Sequence, residues 1–260
     1  MGRTKKMIRT VKAVSATLGC MFFLASLALA QAPAPAPAAP PPPAREYSGS
    51  FGGGITLTGG NTDTRSYNLA FNHIHERTRN TDKITALYLR GEQNDVLTLD
   101  RASVIFRDEY KLSKRVFLFG EVSYLHDPFR DINYYVAPVG GLGYKFVDND
   151  RTKLQFSGGV GGTWERNSYV PVKSSGAINA GQNFSQKIST SSEFTETVVA
   201  VWNMDDYSDS LTGFAAGLTT SISKQFELKV EFRDSYKNKP PNSTIKKNDT
   251  ALVITFLLKY

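Results

Sequence analysis

Residues 226–233 read Phe226-Glu227-Leu228-Lys229-Val230-Glu231-Phe232-Arg233. Every second side chain is apolar and every one between is charged. A helix would mix the two sets, whereas a strand, whose side chains alternate sides, separates them completely. The same separation recurs upstream. In 154–165, Leu154, Phe156, Val160 and Trp164 share one face, and Gln155, Ser157, Gly159, Gly161, Thr163 and Glu165 share the other. In 132–146 the apolar set is Ile132, Tyr134, Val136, Pro138, Leu142, Tyr144 and Phe146. The chain ends on Leu252, Ile254, Phe256, Leu258 and Tyr260. Other runs are less clean. Apolar residues occupy both faces in 84–90 and 194–204, and Phe117 and Phe119 oppose Val116 and Leu118. The in/out register of 82–92, 115–126 and 193–204 is therefore open from sequence.

Twelve strands are predicted, at 47–58, 64–77, 82–92, 99–112, 115–126, 131–147, 151–166, 182–188, 193–204, 209–222, 225–236 and 247–260. Every second connection is short: 78–81, 113–114, 148–150, 189–192 and 223–224. Those between are mostly longer, at 93–98, 127–130, 167–181, around 207–208 and at 237–246, with the tight 59–63 as the exception. An even strand count with short turns at one end and long loops at the other is the layout of an antiparallel transmembrane β-barrel, with short periplasmic turns and longer extracellular loops. The physical reason is that hydrocarbon offers no hydrogen-bond partners, so a sheet crossing it must close on itself. Tyr47, Tyr110, Tyr124, Tyr144, Trp164, Trp202, Tyr236 and Tyr260 fall near strand ends, where interfacial aromatic girdles sit. A soluble sandwich or lipocalin-like barrel would alternate too, with its apolar set inward. Strand length, loop alternation and the aromatic last strand favour the membrane barrel.

The N-terminus reads differently. Residues 1–30 hold five basic residues, Arg3, Lys5, Lys6, Arg9 and Lys12, and no acid. An apolar run follows over 13–30 and closes on Ala28-Leu29-Ala30 before Gln31, the anatomy of a cleaved secretory signal peptide. Residues 31–45 form a Pro/Ala-rich spacer holding seven of the twelve prolines, suited to extended polyproline II. Removing 1–30 leaves 26 basic against 24 acidic residues and lowers the net charge from +7 to +2. No basic excess for nucleic acid remains on the barrel, 46–260. The single cysteine, Cys20, lies in the leader, so the rest of the chain has no disulfide, thiolate metal site or cysteine nucleophile.

Several stretches carry a family resemblance: Gly59-Gly60-Asn61-Thr62; His126-Asp127-Pro128-Phe129; Gly140-Gly141-Leu142-Gly143-Tyr144; Phe232-Arg233-Asp234-Ser235-Tyr236 running to Pro240-Pro241; and Lys247-Asn248-Asp249-Thr250. In this order and spacing the chain resembles the YdiY-like salt-induced outer-membrane proteins, a family of unknown function, over nearly all of 46–260. The resemblance implies a Gram-negative outer-membrane barrel and a link to salt or osmotic stress. It implies no activity, cofactor or ligand.

If the apolar faces point to lipid, Arg107, Glu109, Glu121, Lys145, Lys153, Gln155, Glu165, Glu227, Lys229, Glu231 and Arg233 line the lumen. Both signs are present, so the lumen is either a salt-bridged plug or a narrow channel of mixed charge. Small residues on the same faces, Gly141, Gly143, Gly159, Gly161, Gly213, Ala215 and Gly217, leave room for water or for long side chains from across the barrel. The expected function is a non-enzymatic porin-like or structural envelope barrel. The alternative is a barrel hydrolase acting on lipid or peptide through His126 or the His73/His75 pair. His126 and Asp127 are adjacent on a strand and would face opposite ways, which disfavours a direct dyad. No cofactor and no metal site are expected. The expected partners are outer-membrane lipid, lipopolysaccharide near the basic 237–247 segment, and the barrel-assembly machinery, reached through the last strand ending at Tyr260. The barrel is expected to be monomeric.

Overall fold

The computed structural model describes residues 46–59, 65–93 and 96–260. The expected signal peptide and spacer, Cys20 and most of the Gly59–Thr62 motif lie outside these residues. The described chain forms twelve antiparallel strands: β1 (Tyr47–Gly59), β2 (Arg65–Glu76), β3 (Asn80–Gln93), β4 (Val96–Lys111), β5 (Val116–Asp127), β6 (Ile132–Asp148), β7 (Thr152–Arg166), β8 (Lys173–Lys187), β9 (Ser192–Asn203), β10 (Ser210–Ser221), β11 (Phe226–Lys237) and β12 (Asn248–Lys259). Each pairs with its neighbours in sequence, and β1 pairs with β12, setting Ile55 opposite Ile254, so the sheet closes into a barrel without a free edge.

Alternation fixes the two faces. Phe51, Ile55, Tyr67, Leu69, Phe106, Leu142, Phe156, Val160, Phe232, Phe256 and Leu258 are exposed on the outside. Glu109, Glu165, Glu231 and Thr255 are buried on the inside. That is the reverse of a soluble barrel, and strands of 12 to 17 residues exceed the roughly 9–11 needed to cross a bilayer. The outer band is interrupted at Glu196, whose carboxylate accepts a 3.0 Å hydrogen bond from Gln182.

The strands left open by sequence resolve through packing. Phe117 and Phe119 face inward and are buried, forming a cluster with Val139. Their cross-strand partners on β6 are Gly143 and Gly141. A Cβ placed on Gly143 would lie 2.0 Å from the Phe117 ring, so the ring lies flat where only glycine leaves space. On β3, Leu87 and Leu89 turn inward and join Leu99, Ala251 and Val253.

Three expectations are corrected. β8 begins at Lys173, not 182, so the expected loop 167–181 shrinks to 167–172. Its Ser, Gly and Ala residues look like loop chemistry, yet they pair with β7 from Trp164–Ser174 to Gly158–Ala180 and with β9, which satisfies their backbone groups. Ile132 faces inward, not outward with Tyr134. A register shift sets it opposite Asp127, where it packs with Tyr135 and Ala137. Lys237, expected on an exposed basic loop, is buried inside the barrel because two carboxylates draw it there.

Candidate functional site

The barrel interior holds the concentrated chemistry. On β4 the inward residues Arg107 and Glu109 stand two apart and pair at 2.8 Å. Arg107 reaches Glu121 on β5 at 2.8 Å, and Lys83 on β3 reaches Glu109 at 2.8 Å. The Arg107 guanidinium also lies 4.0 Å over the Phe119 ring, a cation–π contact. Salt bridges and rings thus fill the β3–β6 side toward the end where β3 and β5 begin.

On β11, Lys229 and Arg233 both pair with Glu231, at 2.5 and 2.9 Å. Glu227 instead takes Lys259 of β12 at 2.9 Å. Lys145 pairs with Asp148 at 3.2 Å. Lys153 stands exposed at the start of β7, at the barrel end where β1 begins and β12 ends. Ten sequence-selected charges are therefore distributed over several clusters, not gathered at one centre.

The opposite end carries residues the sequence reading missed. Asp127 and Pro128-Phe129-Arg130, a 3₁₀ turn closed by Asp131 in a left-handed conformation, fold back into the mouth. Arg130 is 2% exposed, and its Nη1 donates to the Ser235 hydroxyl of β11 at 2.7 Å. Arg101 of β4 pairs with Asp127 at 2.6 Å and with Asp249 of β12. Lys237 bridges Glu165 of β7 at 2.8 Å and Asp209 at 3.0 Å, while Asn167 donates to Glu165 at 3.0 Å. The sequence signal was present: Asp127, Ser235 and Asp249 belong to three of the stretches that carried the resemblance, and the fold brings all three to one mouth. What the sequence lacked was the inward turn of Arg130.

The β9–β10 side is different. A cavity of about 280 Å³ opens at the end where β1 begins and β12 ends, bordered by Thr195, Thr219, Glu227 and Lys229. A second of about 210 Å³ lies further in, bordered by Thr197, Val199, Gly213, Ala215, Arg130 and Arg233. A third of about 20 Å³ lies beneath Lys237, against Val201, Asn203 and Leu211. Successive inward positions of β9 (Thr195, Thr197, Val199, Val201 and Asn203) thus border one cavity after another. A Cβ on Gly213 would meet nothing within 4 Å.

The three histidines fall at opposite ends of the barrel. His73 and His75 sit on the outer face near the barrel end, with His73 Nδ1 3.0 Å from the Tyr260 hydroxyl and His75 stacked on Tyr47. His75 also lies between Glu46 and Asp82, at 3.3 and 3.4 Å. His126 Nδ1 is 2.6 Å from the Asn133 carbonyl, while Asp127 faces inward to Arg101. Among the described residues no carboxylate is placed against His126, and no third ligand joins His73 and His75 as a metal site. In the loops, Lys239 pairs with Asp206, and Lys247 donates to Asn238 at 3.2 Å. Lys239, together with the Ser208 hydroxyl and amide, holds the Asp206 carboxyl down at about 2.

Comparison with known proteins fits this architecture. Among solved structures, the chain is similar to the NanC porin, with a TM-score of 0.55 and 9% identity, over 82% of this chain and 100% of that one. It is also similar to the translocator domain of the autotransporter NalP from Neisseria meningitidis, with a TM-score of 0.46 and 12% identity, over 82% and 87% of the two chains. At such identities the NanC likeness shows the fold, a porin-like barrel of the outer-membrane type. An uncharacterized protein of Escherichia coli K12, YdiY, is 19% identical over 250 residues, covering 96% of this chain and 98% of that protein. The family described as protein of unknown function, DUF481, matches residues 52–260, nearly the whole barrel, and the chain belongs to that family.

Proposed function

We propose that this protein is a non-enzymatic outer-membrane barrel that forms a narrow, largely occluded channel for small polar solutes. The observation that carries the reading is the file of cavities along β9 and β10, beside a β3–β6 side filled by rings and salt bridges. Small side chains on one side leave a path there, while the Lys237–Glu165–Asp209 bridge narrows it at the loop end. Twelve strands enclose a modest interior, so half-filling it leaves room for small solutes only. The porin-like fold supports the outer-membrane location, and the reversed polarity of its two faces supports lipid as its surroundings.

The same proposal includes export by a cleaved signal peptide and termini on the periplasmic side. It also includes assembly through the last strand ending at Tyr260, a monomer set among lipid and lipopolysaccharide, and a role under salt or osmotic stress. The mixed charge lining the lumen belongs to it too. A second reading, a structural barrel without conductance, is favoured by the buried aromatic and salt-bridged half. Single-channel recording of the refolded barrel in planar bilayers across a salt series separates the two. Small, discrete steps are expected. Silence from protein that still shows the unboiled gel shift of a folded barrel would remove the channel reading and leave the structural one.

A further inference from the structure

The interior cavity of about 210 Å³ has one wall that the channel reading does not explain. Arg130 is 2% exposed, and of its three guanidinium nitrogens only Nη1 is engaged, by Ser235. Nε and Nη2 are buried with no hydrogen-bond partner. Leaving charged donors buried and unmade is costly, so a group that satisfies them gains strongly. These two nitrogens form one edge of the planar fork, whose parallel N–H bonds match the two oxygens of a carboxylate. The other arginines at this cavity are engaged: Arg101 by Asp127 and Asp249, Arg233 by Glu231. The nearby acceptors without a partner are Asp127 Oδ1 and Asp234 Oδ1, two oxygens against the three N–H bonds of Nε and Nη2. Donors remain in excess even if each takes one.

The rest of the wall sets the size and nature of the ligand. Leu87, Leu89, Leu125, Val199, Ala215 and Ala251 make most of it apolar. Its volume is below the roughly 300–1,000 Å³ of drug-sized sites and equals about seven water molecules at about 30 Å³ each. We infer that this cavity is a binding site for a small organic carboxylate, whose head group is clamped by the Nε/Nη2 edge of Arg130 and whose short aliphatic body lies against the leucines. The inference deepens the channel reading by naming the class of solute.

The test uses the full mature barrel refolded in detergent, with sodium butyrate as probe and uncharged butyramide and inorganic phosphate as comparisons, followed by calorimetry. Butyrate is expected to bind at least about tenfold more tightly than either comparison, as a fork–carboxylate pair with an apolar tail requires. Arg130→Gln should abolish that binding. Arg130→Lys should weaken it about tenfold or more, because an ammonium keeps the charge but loses the fork. Ser235→Ala, which removes the bond that orients Arg130 and is milder for folding, should weaken it several-fold. The gel shift establishes that each variant is folded. Equal binding of butyrate and butyramide, binding unchanged in folded Arg130→Gln, or no binding by the parent would overturn the proposal, the last meaning that water alone fills the cavity. Phosphate binding as tightly as butyrate would overturn the organic part of it. Conductance is a separate readout. Butyrate binding without channel steps would leave the site and remove the channel, and steps without butyrate binding would do the reverse.

Discussion

The two sides of the barrel interior solve the same problem in opposite ways. Around β5 and β6, large rings occupy the lumen, and the facing strand gives way. Phe117 lies against Gly143 and Phe119 reaches Gly159 of β7, and Arg107 caps them. Around β9 and β10, small or slender side chains face the lumen, the side chains opposite do not fill the space before them, and cavities remain. Glycine has a different meaning on each side. Gly143 of β6 receives a neighbour's ring, whereas Gly213 of β10 borders open space. A count of glycines could not tell these apart, because the difference lies in what stands opposite.

The loop-end constriction gives the largest expected effect. Lys237→Met would leave Glu165 and Asp209 inside the barrel without their cation. Breaking such a buried pair should cost about 3–5 kcal/mol, read by urea unfolding of the barrel in lipid vesicles. An unchanged midpoint would mean that this mouth is wet and open. Next, the filled side should resist added volume. Gly143→Ala forces the Phe117 ring to move, which should cost about 1–3 kcal/mol in the same assay. The open side should behave differently. A Cβ at Gly213 meets nothing within 4 Å and valine suits a strand, so for Gly213→Val stability should change by no more than about 0.5 kcal/mol. If the channel runs there, unitary conductance should fall by roughly half or more, because the narrowed bore limits flow. Equal stability costs at Gly143 and Gly213 would break the contrast between the two sides.

The smallest effect lies outside the barrel wall. The Asp206 carboxyl is held at about 2, below its ordinary value of 3.8, chiefly by Lys239. Its contribution is present above the unfolded value and is lost as pH falls through about 2. Lys239→Ala should raise the Asp206 titration toward 3.8 in carboxyl NMR, with little change in unfolding, since exposed pairs contribute little.

Much of the architecture was legible in the sequence because alternation is local. Phe226–Arg233 declares its two faces without reference to any other strand, and twelve such runs with alternating loop lengths imply a closed antiparallel sheet. The errors fell where the local signal is weak. Residues 173–181 are small and polar and read as loop, yet β7 and β9 draw them into the sheet by offering partners to their backbone. The inward charges of β4, β7 and β11 could be chosen by parity. Their partners could not, since Lys237 meets Glu165 across 72 positions of sequence.

By itself, the sequence determined the class of fold, the strand count and which face of each clean strand is apolar, because side-chain period and turn chemistry are properties of neighbouring residues. Only the tertiary structure decided that the apolar faces point outward, where the lumen is filled and where it is hollow, and that Arg130 turns into the mouth with two of its three guanidinium nitrogens unused. These depend on which strands stand opposite each other across the barrel. Closure fixes those distances, and no local pattern records them.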